Sequence, residues 1–140
     1  YAIVVMPGIK NLNDREFIRT FQVTDRIIQN NHPIFMLVWV GSAIALIVSA
    51  LYGVGRLQGV DLFLLALATL AYVLGVQIST IAIQLPLNKK LQTLDVDAMN
   101  ETDIKVARND FEARWNTSNL IRTAIASCVS VLLIILLFRQ

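Results

Sequence analysis

Phe111-Glu-Ala-Arg-Trp-Asn-Thr-Ser-Asn-Leu-Ile-Arg122 runs without a break into the uncharged apolar residues 123–138. A polar, aromatic motif therefore sits on the mouth of a membrane helix. Phe111, Trp115, Asn119 and Arg122 fall at i, i+4, i+8 and i+11, which places them along one stripe of a single helix. An arginine at the edge of hydrocarbon is expensive unless it snorkels or pairs inside a bundle, and such residues often mark a site.

Working outward, residues 33–52 and 62–87 are also free of charge. A bilayer core of about 30 Å needs roughly 20 apolar residues per helix. Charged residues make up only 16% of the 140-residue chain, against roughly 25% in soluble domains, and mean hydropathy is +0.61. The expectation is a single integral membrane domain, residues 1–140: an all-α transmembrane four-helix bundle with amphipathic interfacial extensions. Its spans are expected near residues 33–52, 60–85 and 119–138, and the apolar residues 1–6 read as the end of a first, truncated span rather than as the mature terminus left by a signal peptide.

Asn13-Asp-Arg-Glu16 has the form of a helix cap followed by acids in the first turn. The helix it starts has Phe17, Phe21 and Ile28 on one face, with Ile18 and Ile27 beside them. That amphipathic face fits the membrane surface or the bundle itself. Asn30-Asn-His-Pro33 ends this helix and begins the next. Gly41, Ala45 and Ser49 form a small-residue seam, and Ala71, Gly75 and Ser79 form another. The short stretch 53–59 makes the helices on either side antiparallel neighbours. Gln77, Thr80, Gln84 and Asn88 make a polar stripe that should face the bundle interior, because lipid would leave the amides unsatisfied. Pro86 kinks or ends that helix. Residues 91–100 read as a loop, and Asn100-Glu-Thr-Asp103 as the start of a final helix reaching Phe138. At about 57 Å, that helix must project well beyond the hydrocarbon.

Lys10, Arg15, Arg19 and Arg26 precede the span at 33–52, and Lys89, Lys90, Lys105, Arg108 and Arg114 precede the last span, against Arg56 and Arg139 on the other side. The positive-inside rule puts both long connections in the cytoplasm. His32, Gln84, Asn88, Trp115, Asn119 and Arg122 should then converge at one end of the bundle. With one cysteine and one histidine, an all-protein zinc, haem or iron–sulfur site of the usual ligand sets is not expected. Basic residues interspersed with acids on a membrane scaffold argue against nucleic acid as a partner. Membrane lipid, a lipophilic aromatic or quinone ligand, and a homo-oligomer or larger membrane complex are the partners that fit.

Pro7, Gln84-Leu-Pro-Leu-Asn88 and Arg114-Trp-Asn-Thr-Ser-Asn-Leu-Ile-Arg-Thr123 together resemble the anthrone oxygenase-like family of small four-helix membrane proteins. The resemblance implies, for members with an assigned activity, oxidation of an anthrone to an anthraquinone by molecular oxygen without metal or flavin. A histidine and a tryptophan are the suspected catalytic groups, and Trp115 matches the family motif. On such chemistry His32 is the candidate base, since its reference pKa lies near 6.5. Arg122 and Asn119 would stabilise an oxyanion and Trp115 would stack on the ring, with Asn88 and Gln84 completing the binding surface. Each has a plainer reading: a helix-end histidine, an interfacial tryptophan, an arginine paired with Glu112 or lipid phosphate, and amides that fix helix register. The alternative function is a non-catalytic membrane protein, either an accessory subunit or a lipid or quinone binder.

Overall fold

The computed structural model describes residues 1–139. Every regular element is helical: α1 (Val5–Ile9), α2 (Asp14–Gln29), α3 (Pro33–Val54), α4 (Gly59–Tyr72), π-helical turns at Val73–Ile78 and Thr80–Gln84, α5 (Leu85–Gln92) and α6 (Glu101–Phe138). The expected all-α architecture is what the chain adopts. Among the described residues, three helical runs are long and apolar enough to cross a membrane: Pro33–Val54, Gly59–Gln92 and Glu101–Phe138. Residues 1–6 hold turns and the first residues of α1.

The capping residues act as their types require. Asn13 Oδ1 accepts from the Glu16 backbone N–H at 2.9 Å, and Asn100 Oδ1 accepts from that of Asp103 at 2.9 Å, satisfying donors that the first turn of a helix leaves open. Asn31, at φ 55°, closes α2 in the left-handed conformation that asparagine tolerates. Pro86 does not end its helix. It lacks an N–H and its ring crowds the carbonyl four residues back, and the preceding π-helical turns Thr80–Gln84 shift the hydrogen-bond register just before it.

The chain forms two compact units. The first comprises Tyr1–His32 and Ile81–Leu120. Its core contains Phe17, Ile18, Phe21, Leu87, Leu91, Ile104, Phe111 and Trp115. The apolar face of α2 thus packs inward over its first half, while Ile27 remains exposed. Arg108, with only 12% of its side chain exposed, ties α6 to the α1–α2 connection. It donates to the carbonyls of Lys10 at 2.6 Å and Leu12 at 2.8 Å, and to the carboxylates of Asp14 at 2.9 Å and Glu112 at 2.8 Å. Arg15 bonds Glu101 and the Val96 and Met99 carbonyls, and Arg19 pairs with Asp97, so the start of α2 clamps residues 96–101.

The second unit comprises Pro33–Thr80 and Ile121–Gln140. Leu46, Leu65 and Leu136 form its small core. Only 6% of the apolar window of α3 is buried, which suits a helix facing hydrocarbon rather than water. Of the two seams, the second makes contact: a Cβ on Gly75 would lie 2.7 Å from Ile125 Cδ1, whereas one on Gly41 would meet nothing within 4 Å.

Candidate functional site

The first unit brings the two family-like motifs together. Trp115 Nε1 donates to Asn88 Oδ1 at 2.8 Å, and Asn88 Nδ2 donates to Asp25 Oδ1 at 2.8 Å. An indole N–H can only donate, so the Asn88 carbonyl oxygen must face it and the amide nitrogen must point to the carboxyl. Gln92 Nε2 reaches Asp25 Oδ2 at 3.3 Å and the Gln22 carbonyl at 2.9 Å. Gln22 Nε2 in turn donates to the carbonyls of Leu91 at 2.8 Å and Leu94 at 3.0 Å. α2, α5 and α6 are thereby joined by one polar chain, buried at Asp25, Asn88 and Trp115 and half-buried at Gln22 and Gln92, in a setting where each unmade buried bond would be expensive.

Asp25 is 1% exposed. Burial pushes its carboxyl above the ordinary carboxylate value, and the amides of Gln29, Gln92 and Asn88 oppose that rise. Gln29 acts here by proximity, since its own Nε2 makes no hydrogen bond among the described residues. Asp25 was not among the residues expected from sequence. A signal for it exists: Phe17, Phe21 and Asp25 lie at i, i+4 and i+8, so a carboxylate interrupts the apolar stripe of α2.

Aromatic rings enclose the indole. Phe21 meets Trp115 edge-on at 5.4 Å, Tyr1 lies at 5.6 Å, and Phe111 stacks at 6.1 Å. Trp115 is consequently only 3% exposed. Beside this cluster an open cleft of about 250 Å³ has Met6, Pro7, Lys10, Glu112, Asn116 and Asn119 in its wall. Asn119 is 2% exposed and Gln84 3%.

Four of the sequence candidates therefore belong to this unit's interior: Asn88 and Trp115 in direct contact, Gln84 and Asn119 buried. His32 belongs to the same unit but is exposed, at the α2–α3 junction, and stands outside the Asn88 network. Arg122 belongs to the second unit, where its Nη1 donates to Thr80 Oγ1 at 3.1 Å. Thr80 Oγ1 donates to the Val76 carbonyl at 2.6 Å within the π-helical segment. Nearby in sequence, Gln77 Nε2 bonds the Tyr72 hydroxyl at 3.2 Å, which shares a hydrogen bond of 2.7 Å with Ser42 Oγ. The polar stripe expected to turn inward does so at Thr80, Gln84 and Asn88, all less than 9% exposed.

Neither a curated protein nor a solved structure matches the chain. The family model described as anthrone oxygenase matches residues 27–133, a range that includes His32, both motifs and every other sequence candidate. With most of its length matched, and the two motifs that carry the likeness joined at Asn88 and Trp115, the chain belongs to the anthrone oxygenase family.

Proposed function

We propose that this protein is a membrane-embedded, cofactor-free oxygenase acting on an anthrone or another quinone-like lipophilic aromatic, with its charged connections in the cytoplasm. The observation that carries the reading is the Asp25–Asn88–Trp115 chain, because it ties a buried carboxyl to an oriented indole within the region matched by the family model or immediately before it. An anthrone needs only to lose a proton from its methylene carbon. The carbanion then gives its electrons to dioxygen, a carbon–oxygen bond forms, and loss of water leaves the second carbonyl. One anthrone and one dioxygen thus become one anthraquinone and one water.

Trp115 supplies the aromatic platform, and Asn119 stabilises the oxyanion. Two bases compete for the proton. His32 has the suitable reference pKa, and Asp25, joined to the indole through Asn88, has a carboxyl whose proton affinity is raised by burial. His32 is exposed, outside the polar chain, and this supports a second reading in which the same site binds a quinone or lipid without turning it over.

The test is oxygen consumption and anthraquinone formation from anthrone by purified protein in lipid nanodiscs. Turnover above the spontaneous rate, lost in Trp115→Ala with folded yield retained, supports the oxygenase. Saturable binding without turnover supports the binder, and neither binding nor turnover removes both.

A further inference from the structure

One turn beyond the Asn88–Trp115 pair, each helix presents a polar group that the protein leaves unsatisfied. Gln84 lies four residues before Asn88 and Ser118 three residues after Trp115. The pairing of Lys90 with Asp110, together with that of Asn88 with Trp115, sets an antiparallel register, so that turn of α6 runs alongside Gln84. Gln84 is 3% exposed and Ser118 9%. Gln84 Nε2 and Ser118 Oγ are both buried without a hydrogen-bond partner among the described residues. A buried amide or hydroxyl left unpaired is costly, so a native structure rarely keeps one without a water or ligand to answer it. Two at one level of one helix pair point to a common missing acceptor.

We infer that Gln84 Nε2 and Ser118 Oγ form a recognition point for an uncharged carbonyl oxygen on a lipophilic ligand. The inference rests on the proposed reading of this site and names the group of the substrate that it holds. The chemistry selects the acceptor. An amide nitrogen and a hydroxyl offer two donors and no positive charge of their own, which suits a keto or quinone oxygen. Ser118 was not among the sequence candidates, because a serine on a helix carries no signal of its own until packing buries its hydroxyl.

The test compares anthrone with dihydroanthracene, the same ring system without the carbonyl, by equilibrium dialysis under anaerobic conditions, which halt turnover, against protein-loaded and empty nanodiscs. The wild-type protein should prefer anthrone by about tenfold, a difference of roughly 1.4 kcal/mol. Gln84→Leu and Ser118→Ala should each reduce that preference several-fold, and the double variant should abolish it while still binding dihydroanthracene. Ser118→Ala removes a single oxygen and guards against a folding failure in Gln84→Leu. Equal wild-type affinity for the two compounds, or a preference unchanged in both variants, would overturn the carbonyl site and leave the two atoms to bound water. Failure of the wild-type protein to bind either compound would overturn the ligand-site reading beneath it as well.

Discussion

The Trp115 indole and the Asn88 side-chain amide are locked to one another at 2.8 Å, and the other end of that amide is held by Asp25. Because the amide has one acceptor end and one donor end, it answers both neighbours at once, and its loss disturbs both.

Asn88→Leu should therefore destabilise more than loss of a single hydrogen bond. It strands the indole N–H and removes a donor from a buried carboxyl, and each orphaned group costs about 1–3 kcal/mol. Trp115→Phe strands only the Asn88 oxygen and should fall below it. Thermal unfolding in detergent, followed by circular dichroism, orders the two. Equal midpoints for both variants and the wild-type protein would show that the chain of bonds contributes nothing to stability.

Asp25 should make stability depend on pH. Its folded carboxyl holds a proton more tightly than an unfolded one, so the native state binds more protons and stability falls as pH rises. The loss begins at the ordinary carboxylate value of about 3.9 and is complete above the raised folded value. Asp25→Asn should flatten this part of the profile. Unfolding midpoints across an acid-to-neutral series measure it; an equally steep decline in Asp25→Asn would assign the effect to another group.

Arg108 should resist its nominally conservative replacement. The guanidinium serves two carbonyls and two carboxylates at once and lies 4.3 Å over the Phe17 ring. An ammonium offers no planar fork for that set. Arg108→Lys should cost about 2–4 kcal/mol, near the range for breaking a buried ion pair, and should speed proteolysis in residues 10–13. Cleavage at the wild-type rate would refute the clamp.

In the second unit, Gly75→Leu should overpack the contact with Ile125, at a cost of about 1–3 kcal/mol. Gly41→Leu meets open space and should leave the fold unchanged. Adding Ile125→Ala to Gly75→Leu should restore part of the loss. Unfolding of the three variants in detergent checks the contrast, and a larger penalty at Gly41 than at Gly75 would reverse it.

The sequence alone determined the helical class, the runs long and apolar enough to cross a bilayer, the caps at Asn13 and Asn100, the beginning and end of α6, and the family. These depend on local composition and spacing, which a chain carries wherever its parts end up. Its site candidates were legible as residue types on helix faces, and Asn88 and Trp115 meet as motifs read side by side would suggest. What joins them was not legible. Asp25 is an ordinary acid on an amphipathic helix until tertiary packing buries it, and Glu101, an acid in the first turn of α6, pairs with Arg15 of α2. The orphaned atoms of Gln84 and Ser118 likewise exist only once the helices exclude water. Partner choice and burial join residues distant in the chain, so only the tertiary structure decided them.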